Sequence, residues 1–311
     1  MTNWWTDKSV FVTGGHGFLG RHVVRLLRML SPREIFAPSR EQLDLLNDDA
    51  VDTFLSEQKP DIVIHLAASC GGIGANRIAP ADFFYENMKM GLGLIDSSSL
   101  NGVGKFVCIG TVCAYPRLTP TPFKESDLWN GYPEETNAPY GIAKKALLVQ
   151  LQAYRRQYDL NGAYLLPVNL YGPEDDFDPA TSHVIPAMIA KFHEAIKKKK
   201  RAITLWGSGS ATREFLYVED CAKAILLAAE KYNSPEPLNL GSGEEISIKD
   251  LAERISGIMG YKEAIEWDVS KPDGQPKRLL DSSRARALLG WRAEIPLNLG
   301  LQRTIDWYWP S

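Results

Sequence analysis

The stretch Ser9-Val-Phe-Val-Thr-Gly-Gly-His-Gly-Phe-Leu-Gly20 decides the fold of this chain. Its first five residues form a short apolar run that suits a buried parallel strand. Glycines follow at positions 14, 17 and 20, and apolar residues then recur at helical spacing as far as Leu30. In the order strand, glycine loop and helix, the glycines let the backbone approach a pyrophosphate whose charge sits at the helix amino terminus. The sequence therefore predicts a dinucleotide-binding site formed by Gly14, His16, Gly17, Phe18, Leu19 and Gly20.

Apolar strands alternate with helical segments along most of the remaining chain. The predicted strands cover residues 34–38, 61–65, 105–109 and 163–168, and the predicted helices cover residues 47–57, 80–99 and the segment around Tyr140. This alternation predicts an α/β fold of the Rossmann type, in which helices cover both faces of a doubly wound parallel sheet. Ligands of such sheets bind beyond the carboxyl ends of the strands.

We expect two interleaved domains. Residues 1–170 would form the dinucleotide-binding domain, with returns to its sheet near 214–241, at Leu216 and Leu238. Residues 171–213 and 242–311 would form a smaller α/β domain that holds the substrate. Its predicted elements are helices at 183–199, 248–259 and 297–309 and a strand at 203–207.

Composition narrows the class of protein. The chain has 311 residues and a net charge of -3, which argues against a nucleic-acid surface. No apolar run reaches about 18 residues, so a membrane span is not expected, and the first residues lack the features of a signal peptide. We therefore expect a cytoplasmic protein. The cysteines at 70, 108, 113 and 221 have the spacing of neither a zinc site nor a disulfide framework, so no metal is expected.

The end of the second predicted strand bears on the choice of cofactor. A site for NAD usually places an acidic residue there, whereas the 2'-phosphate of NADP needs positive or hydroxyl partners. Ser39 and Arg40 stand at this point and favour NADP(H), although Glu41 follows directly. His16 either contacts the phosphate or faces solvent, and these two interpretations stay open.

Tyr140 and Lys144 lie four residues apart, which places both side chains on one face of a helix. A fixed positive charge favours the phenolate, so we expect it to lower the pKa of the tyrosine and to make its proton available near neutrality. A surface pair on an ordinary helix is the alternative for these residues alone. Thr111, at the end of another predicted strand, could donate its hydroxyl proton to a substrate oxygen.

Together these motifs resemble the extended short-chain dehydrogenases/reductases that act on nucleotide sugars. Further stretches, from the glycine loop to about residue 290, closely resemble the GDP-L-fucose synthase family. These stretches are residues 67–76, 111–116, 137–144, 169–173, 182–187, 206–209, 213–216 and 270–274. The resemblance implies an enzyme that inverts the two carbons flanking the ketone of a GDP-linked keto sugar and then reduces the ketone with NADPH.

The resemblance also implies roles for individual residues. Cys113 and His183 would be the acid and base, while Thr111 and Tyr140 would bind the ketone oxygen. Lys144, His183 and Ala67 would also contact the cofactor. The substrate, at its nucleotide end above all, would be held by Lys191, Trp206, Arg213 and either Lys277 or its neighbour Arg278, with Lys277 preferred. Relatives pair two subunits through helices 80–99 and 138–158, which implies a homodimer.

Several alternatives remain open at the level of sequence. Taken alone, Cys113 suits a buried thiol, His183 a helix cap and Trp206 a core residue. The family usually has serine at Thr111 and arginine at His16 and Lys191, so a relative that acts on a GDP-linked heptose, or one that lacks a step, is a second candidate. A non-catalytic NADP-sensing regulator is a third, although such proteins normally lose the tyrosine or the lysine.

Overall fold

The computed structural model describes residues 3–71, 73–178, 181–271 and 275–310. The strands are β1 (Ser9–Thr13), β2 (Glu34–Phe36), β3 (Ile62–His65), β4 (Lys105–Ile109), β5 (Gly162–Pro167), β6 (Asn169–Tyr171), β7 (Ala202–Trp206), β8 (Thr212–Tyr217), β9 (Leu238–Leu240), β10 (Glu245–Ser247) and β11 (Ala264–Asp268). The helices are α1 (Phe18–Leu30), α2 (Asp48–Gln58), α3 (Ile73–Ile78), α4 (Pro80–Leu100), α5 (Ala138–Tyr158), α6 (Val184–Lys197), α7 (Val218–Lys231), α8 (Ile248–Met259), α9 (Ser283–Leu289) and α10 (Leu297–Tyr308).

The central sheet has six strands in the order β2-β1-β3-β4-β5-β9, and every neighbouring pair is parallel. The buried apolar strands of this sheet carry the main core, with α1 packed against α7 and α4 packed against α2 and α5. The predicted Rossmann-type α/β fold is confirmed. After β1 the chain forms β2 on one side of β1 and then crosses to form β3 on the other side. This reversal of direction opens a ligand-binding crevice beyond β1 and β3.

A smaller group of elements stands beside this sheet. It contains a three-stranded sheet in the order β10-β8-β6 and a parallel pair of β7 and β11. Helices α6, α8 and α10 pack against these strands around a second hydrophobic cluster. The predicted helices of this region are confirmed, and their ends lie within two residues of the predicted ones.

One of the two expected returns to the main sheet is wrong. Leu216 lies in β8, which pairs with β6 and β10 and not with the six-stranded sheet. All residues of β8 from Arg213 to Tyr217 are buried, and a strand that is buried on both faces does not reveal which sheet it joins. Leu238 does return to the main sheet, in β9.

The C-terminal segment is divided between the two cores. Helix α9 packs against α7 and β9, whereas α10 packs against α8 and β8. The division of the chain into two domains at 170, 213 and 241 stays a prediction. Among the helices of the described residues, none has both the length and the apolar character that crossing a membrane requires.

Candidate active site

A cleft of about 1150 Å³ lies beyond the carboxyl ends of the main strands, and residues of the smaller group close its far side. It brings together most of the residues that the sequence singled out. These are Gly14, His16, Gly17, Phe18, Leu19, Gly20, Ser39, Arg40, Ala67, Thr111, Cys113, Tyr140, Lys144, His183, Lys191, Trp206 and Arg213.

The glycine loop is packed too tightly for side chains at two of its positions. A Cβ atom on Gly14 would lie 2.7 Å from the backbone nitrogen of Ala67, and one on Gly20 would lie 2.0 Å from the carbonyl oxygen of Gly14. Helix α1 starts at this loop without a side-chain cap and without an acidic residue in its first turn. Its free N–H groups therefore fit the pyrophosphate of a dinucleotide.

The pocket after β2 carries mixed charges. The Ser39 hydroxyl donates to Glu41 Oε2 at 2.7 Å, and this hydrogen bond is the main cause that lowers the pKa of Glu41. His16 is exposed, yet its Nε2 donates to the Ala37 carbonyl at 2.9 Å. Arg40 is exposed beside them. The Ser39 hydroxyl, which we expected to bind a 2'-phosphate, is thus hydrogen-bonded to the neighbouring Glu41 carboxylate.

Two hydroxyl groups meet at the centre of the cleft. Thr111 follows β4 and begins a short 3₁₀ turn, Val112–Ala114, where its Oγ1 accepts a hydrogen bond from the Cys113 backbone at 3.1 Å. The Thr111 hydroxyl also lies close enough to Tyr140 of α5 to lower the pKa of its phenol. Strand β4 and helix α5 therefore aim a hydroxyl each at one point, where a substrate oxygen would lie.

The expected lowering of the Tyr140 pKa is wrong. Burial of the phenol raises its pKa well above the ordinary value, the nearby Cys70 and Cys113 thiols raise it further, and the nearby Thr111 hydroxyl lowers it only in part. Lys144 is itself buried, and burial lowers its own pKa. The cost of placing charge in this enclosed site outweighs the attraction between the two groups. Tyr140 is therefore held as a neutral phenol, the form that can donate a proton.

Arg278 reaches the cleft, and Lys277 does not. The Arg278 guanidinium donates to Cys113 Sγ at 3.5 Å and to Gln275 Oε1 at 2.9 Å. Lys277 is exposed and lies outside the cleft, so the preference for Lys277 is wrong. The sequence offered both positions, but the segment that carries them is irregular and has no period to show which side chain turns inward.

His183 stands at the amino end of α6 and opens onto the cleft. Surrounding protein atoms lower the pKa of its ring, and the charge of Asp176 raises it in part. The net direction is downward, so the imidazole is neutral at pH 7 and can accept a proton. His183 comes from the start of α6 and Cys113 from the turn after β4, so two separate segments bring these side chains into one cleft.

The remote end of the cleft combines an aromatic surface with positive charge. The Trp206 ring is 63% exposed, so it is not a core residue, and the Lys191 and Lys271 ammonium groups each lie 5.6 Å from its centroid. Burial lowers the pKa of Lys191. Arg213 is largely buried and donates to the Thr212 carbonyl at 2.7 Å. Of the motif at 270–274, residues 272–274 lie outside the described residues.

The sequence missed one thiol in this centre. Cys70 lines the cleft and is close enough to Tyr140 and Cys113 to affect the pKa of the phenol. It belongs to the quoted stretch 67–76, in which Gly72 lies outside the described residues. Cys70 lies in the loop that follows β3, three residues beyond Ala67 and at the ligand-binding edge of the sheet. This position was the signal that could have identified it.

Comparison with known proteins agrees with this geometry. The model of the NAD dependent epimerase/dehydratase family matches residues 10–241. GDP-L-fucose synthase 1 of Arabidopsis thaliana is 41% identical over 305 residues, which cover 97% of this chain and 94% of that protein. The crystal structure of a GDP-6-OMe-4-keto-L-xylo-heptose reductase from C. jejuni superposes with a TM-score of 0.92 at 29% identity and covers 99% of both chains.

A GDP-L-fucose synthetase from Naegleria fowleri, solved with NADP bound, superposes with a TM-score of 0.89 at 26% identity. The match covers 99% of this chain and 95% of that one. The family model spans the strands that build the ligand-binding edge, and the structural matches extend over the smaller group of elements as well. The chain therefore belongs to the NAD dependent epimerase/dehydratase family, as a member of its GDP-L-fucose synthase group.

Proposed function

We propose that this protein uses NADPH to convert a GDP-4-keto-6-deoxy-hexose into GDP-L-fucose, by epimerisation at C3 and C5 followed by reduction at C4. One observation carries the proposal. A single cleft is lined by two hydroxyl groups, Thr111 and Tyr140, together with a thiol and a neutral imidazole, Cys113 and His183. A simple reductase needs the hydroxyl pair, whereas only an epimerase needs the thiol and the imidazole as well.

Epimerisation begins with removal of a proton beside the ketone. The neutral ring of His183 can accept a proton from one face of the carbon, and the Cys113 thiol can return one to the other face. As the proton leaves, the C–H electron pair forms a carbon–carbon double bond and the carbonyl π pair moves onto the ketone oxygen, so an enolate forms. Hydrogen bonds from Thr111 and Tyr140 stabilise this oxygen in an enclosed site, where such bonds are strong. Exchange with solvent then removes the proton from His183 and returns one to Cys113, and the same exchange at the second carbon completes the inversion.

Reduction uses the same oxygen-binding pair. NADPH supplies the hydride when it is bound. Tyr140 donates its proton to the C4 oxygen as that oxygen gains negative charge, and the Thr111 hydroxyl holds the oxygen in place. Lys144 lies one helical turn from Tyr140 and opens onto the same cleft, where it can bind the nicotinamide ribose.

The nucleotide of the substrate would occupy the remote end of the cleft. The exposed face of Trp206 suits stacking with a guanine base. Arg213 offers a planar guanidinium group that pairs with phosphate oxygens, and Lys191 adds positive charge, while Arg278 offers a second guanidinium beside Cys113. Aromatic surface and positive charge in the same cleft as Tyr140 match a sugar that is linked to a nucleoside diphosphate.

Preference for NADP over NAD is the finer part of the cofactor proposal. Arg40 and Ser39 support it, since a 2'-phosphate binds to positive and hydroxyl groups. Glu41 opposes it, because its carboxylate accepts the Ser39 proton and would repel the phosphate. We therefore propose an enzyme that prefers NADPH and still accepts NADH.

A homodimer is part of the same proposal. Helices α4 and α5 pack against each other and present exposed apolar side chains, including Phe84, Tyr85 and Val149. A shallow apolar pocket between them is lined in part by Pro80, Phe84 and Ile142. Two copies of this surface could cover each other about a twofold axis.

Reduction of a GDP-linked keto-heptose is the second candidate. The high TM-score of the C. jejuni heptose reductase favours it. Both candidates use Thr111, Tyr140 and Lys144 in the same way, and they differ in whether proton exchange at Cys113 and His183 precedes hydride transfer.

A direct assay tests the proposal. The purified protein is mixed with NADPH and GDP-4-keto-6-deoxymannose, NADPH oxidation is followed by absorbance, and the sugar product is identified by NMR. We expect NADPH to be consumed and GDP-L-fucose to accumulate. If the protein consumes NADPH only with the keto-heptose, the second candidate replaces the first. If neither sugar supports oxidation, the proposed function is wrong.

A further inference from the structure

Helix α1 is tied directly to the segment that follows β6, outside the cleft lining. His22 is buried, and its Nε2 donates to the Pro173 carbonyl at 3.0 Å. Arg21 pairs with Glu174 Oε2 at 3.3 Å, and Arg25 donates to Glu174 Oε1. Three side chains in the first two turns of α1 thus contact two adjacent residues, Pro173 and Glu174.

Arg21 extends this link to the glycine loop itself. Its Nε donates to the His16 carbonyl at 2.8 Å, while its NH1 reaches Glu174. The backbone of His16 lies in the loop that fits the pyrophosphate, so one guanidinium connects the cofactor loop with the segment after β6. A bound pyrophosphate that fixes this loop would also fix the direction of the Arg21 side chain.

Glu174 is held in an unusual conformation. Its φ angle of +69° is uncommon for a residue with a side chain. Its side chain is only 17% exposed, whereas Arg21 and Arg25 are about half exposed. Burial would raise the pKa of Glu174, but the hydrogen bond and charge of Arg25, with help from His22 and Arg21, hold it below the ordinary value. The carboxylate is therefore charged and anchored.

Hydrogen bonds connect the segment after Glu174 with the residues that precede His183. Asp176 accepts hydrogen bonds from the Asp178 backbone at 2.9 Å and from the Thr181 hydroxyl at 2.5 Å, and the Ser182 backbone donates to the Asp178 carbonyl at 2.9 Å. His183 follows Ser182 directly. These hydrogen bonds connect Asp176 and Asp178 with Thr181 and Ser182, directly before His183.

The C-terminal helix supports the other side of this segment. The Phe177 ring stacks on Tyr308, with centroids 4.2 Å apart and an interplanar angle of 17°, and also lies 5.9 Å from the Trp307 centroid. The segment is therefore held between α1 and α10. Of these two supports, only α1 also touches the glycine loop.

We propose that Glu174 is a positioning residue that couples occupation of the glycine loop to the placement of His183, through Arg21 and Arg25. The inference rests on the proposed function for the role of His183. Single exposed ion pairs contribute little, but here two cations share one largely buried carboxylate. The reaction needs epimerisation and reduction in one cleft, and the link makes the proton-exchanging base ready when the cofactor is in place.

Two measurements test the coupling on the full chain. In deuterated water, NADP should accelerate deuterium uptake at C3 and C5 of the keto sugar in the wild type by roughly 5- to 150-fold, the usual range of coupling between two sites. In Glu174→Ala the ratio of the uptake rates with and without NADP should fall towards one, although NADP still binds. Independently of any reaction, hydrogen exchange of the backbone amides of residues 174–178 should slow when NADP binds the wild type, and this protection should disappear in Glu174→Ala.

Matched variants separate coupling from general damage. Glu244→Ala breaks an exposed ion pair with Arg254 and should behave as the wild type in both measurements. Arg25→Ala should reproduce Glu174→Ala, and it replaces that variant if Glu174→Ala does not fold. In a double-mutant cycle, the loss in Glu174→Ala with Arg25→Ala should be smaller than the sum of the single losses.

The outcomes are distinct. Retention of both the acceleration and the protection in Glu174→Ala and Arg25→Ala would overturn the inference, and so would a wild type in which NADP alters neither measurement. If the wild type shows no deuterium uptake with or without NADP, the proposed epimerisation fails. The amide measurement then decides the coupling by itself.

Discussion

Replacement of Tyr140 by phenylalanine removes the oxygen that the proposed mechanism uses as proton donor. The structural cost is small, because the Thr111 oxygen keeps its bond from the Cys113 backbone and even one lost hydrogen bond would cost only about 0.5–1.5 kcal/mol. The catalytic cost is larger. Loss of a general acid slows reduction by about 10²- to 10⁴-fold, or about 2.7–5.4 kcal/mol of barrier. Activity should therefore fall far more than stability.

Single-turnover NADPH oxidation measures the chemical step in this variant, and fluorescence titration measures NADPH binding. We expect Tyr140→Phe to bind NADPH nearly as the wild type does and to unfold at a similar temperature. Lys144→Met serves as the comparison, because it should weaken cofactor binding as well as turnover. Reduction by Tyr140→Phe within a few-fold of the wild-type rate would show that the phenol is not the acid and would refute the reasoning.

Three further predictions concern other parts of the cleft and the core. Arg40→Ala should reduce the preference for NADPH over NADH by roughly 1.5–3 kcal/mol, and Glu41→Gln should increase it, as kcat/KM with each cofactor will show. Cys113→Ser and His183→Asn should both slow deuterium uptake. Wild-type uptake should persist as the pH falls to about 6.5, because the protein atoms around the imidazole lower the pKa of His183. Glu214→Gln should cost about 1–3 kcal/mol in urea unfolding at about pH 8, above the pKa of about 7 to which burial raises Glu214, because its carboxylate accepts two backbone N–H groups and an amide cannot replace both bonds.

Local patterns in the sequence were sufficient for the main sheet and for most of the site. The order of strand, glycine loop and helix at residues 9–30 depends on neighbouring residues only, and so does the four-residue spacing of Tyr140 and Lys144. Their positions in the structure match the expectation because backbone geometry fixes them. The homodimer, the cytoplasmic location and the individual roles of the site residues stay predictions.

What the sequence could not supply depends on contacts between distant segments. To choose between Lys277 and Arg278, one has to know the direction in which an irregular segment runs. To assign Leu216 to a sheet, one has to know which strands pair with β8. The pKa of Tyr140 needed the balance between burial and charge, which is a property of the folded site. Glu174 lies more than 140 residues from Arg21 and Arg25, so no local pattern could reveal their ion pairs.

The raised pKa of Tyr140 has a consequence for the order of the two proposed stages. During epimerisation the substrate oxygen is an enolate, whose charge is shared with a neighbouring carbon, and after hydride transfer it is an alkoxide, a stronger base. A phenol with a high pKa stabilises the enolate by hydrogen bonding and keeps its proton, because the enolate is too weak a base to remove it. Only the alkoxide takes the proton. Burial of Tyr140 thereby lets one group serve both stages, and it delays the irreversible use of its proton until the carbon at C4 has been reduced.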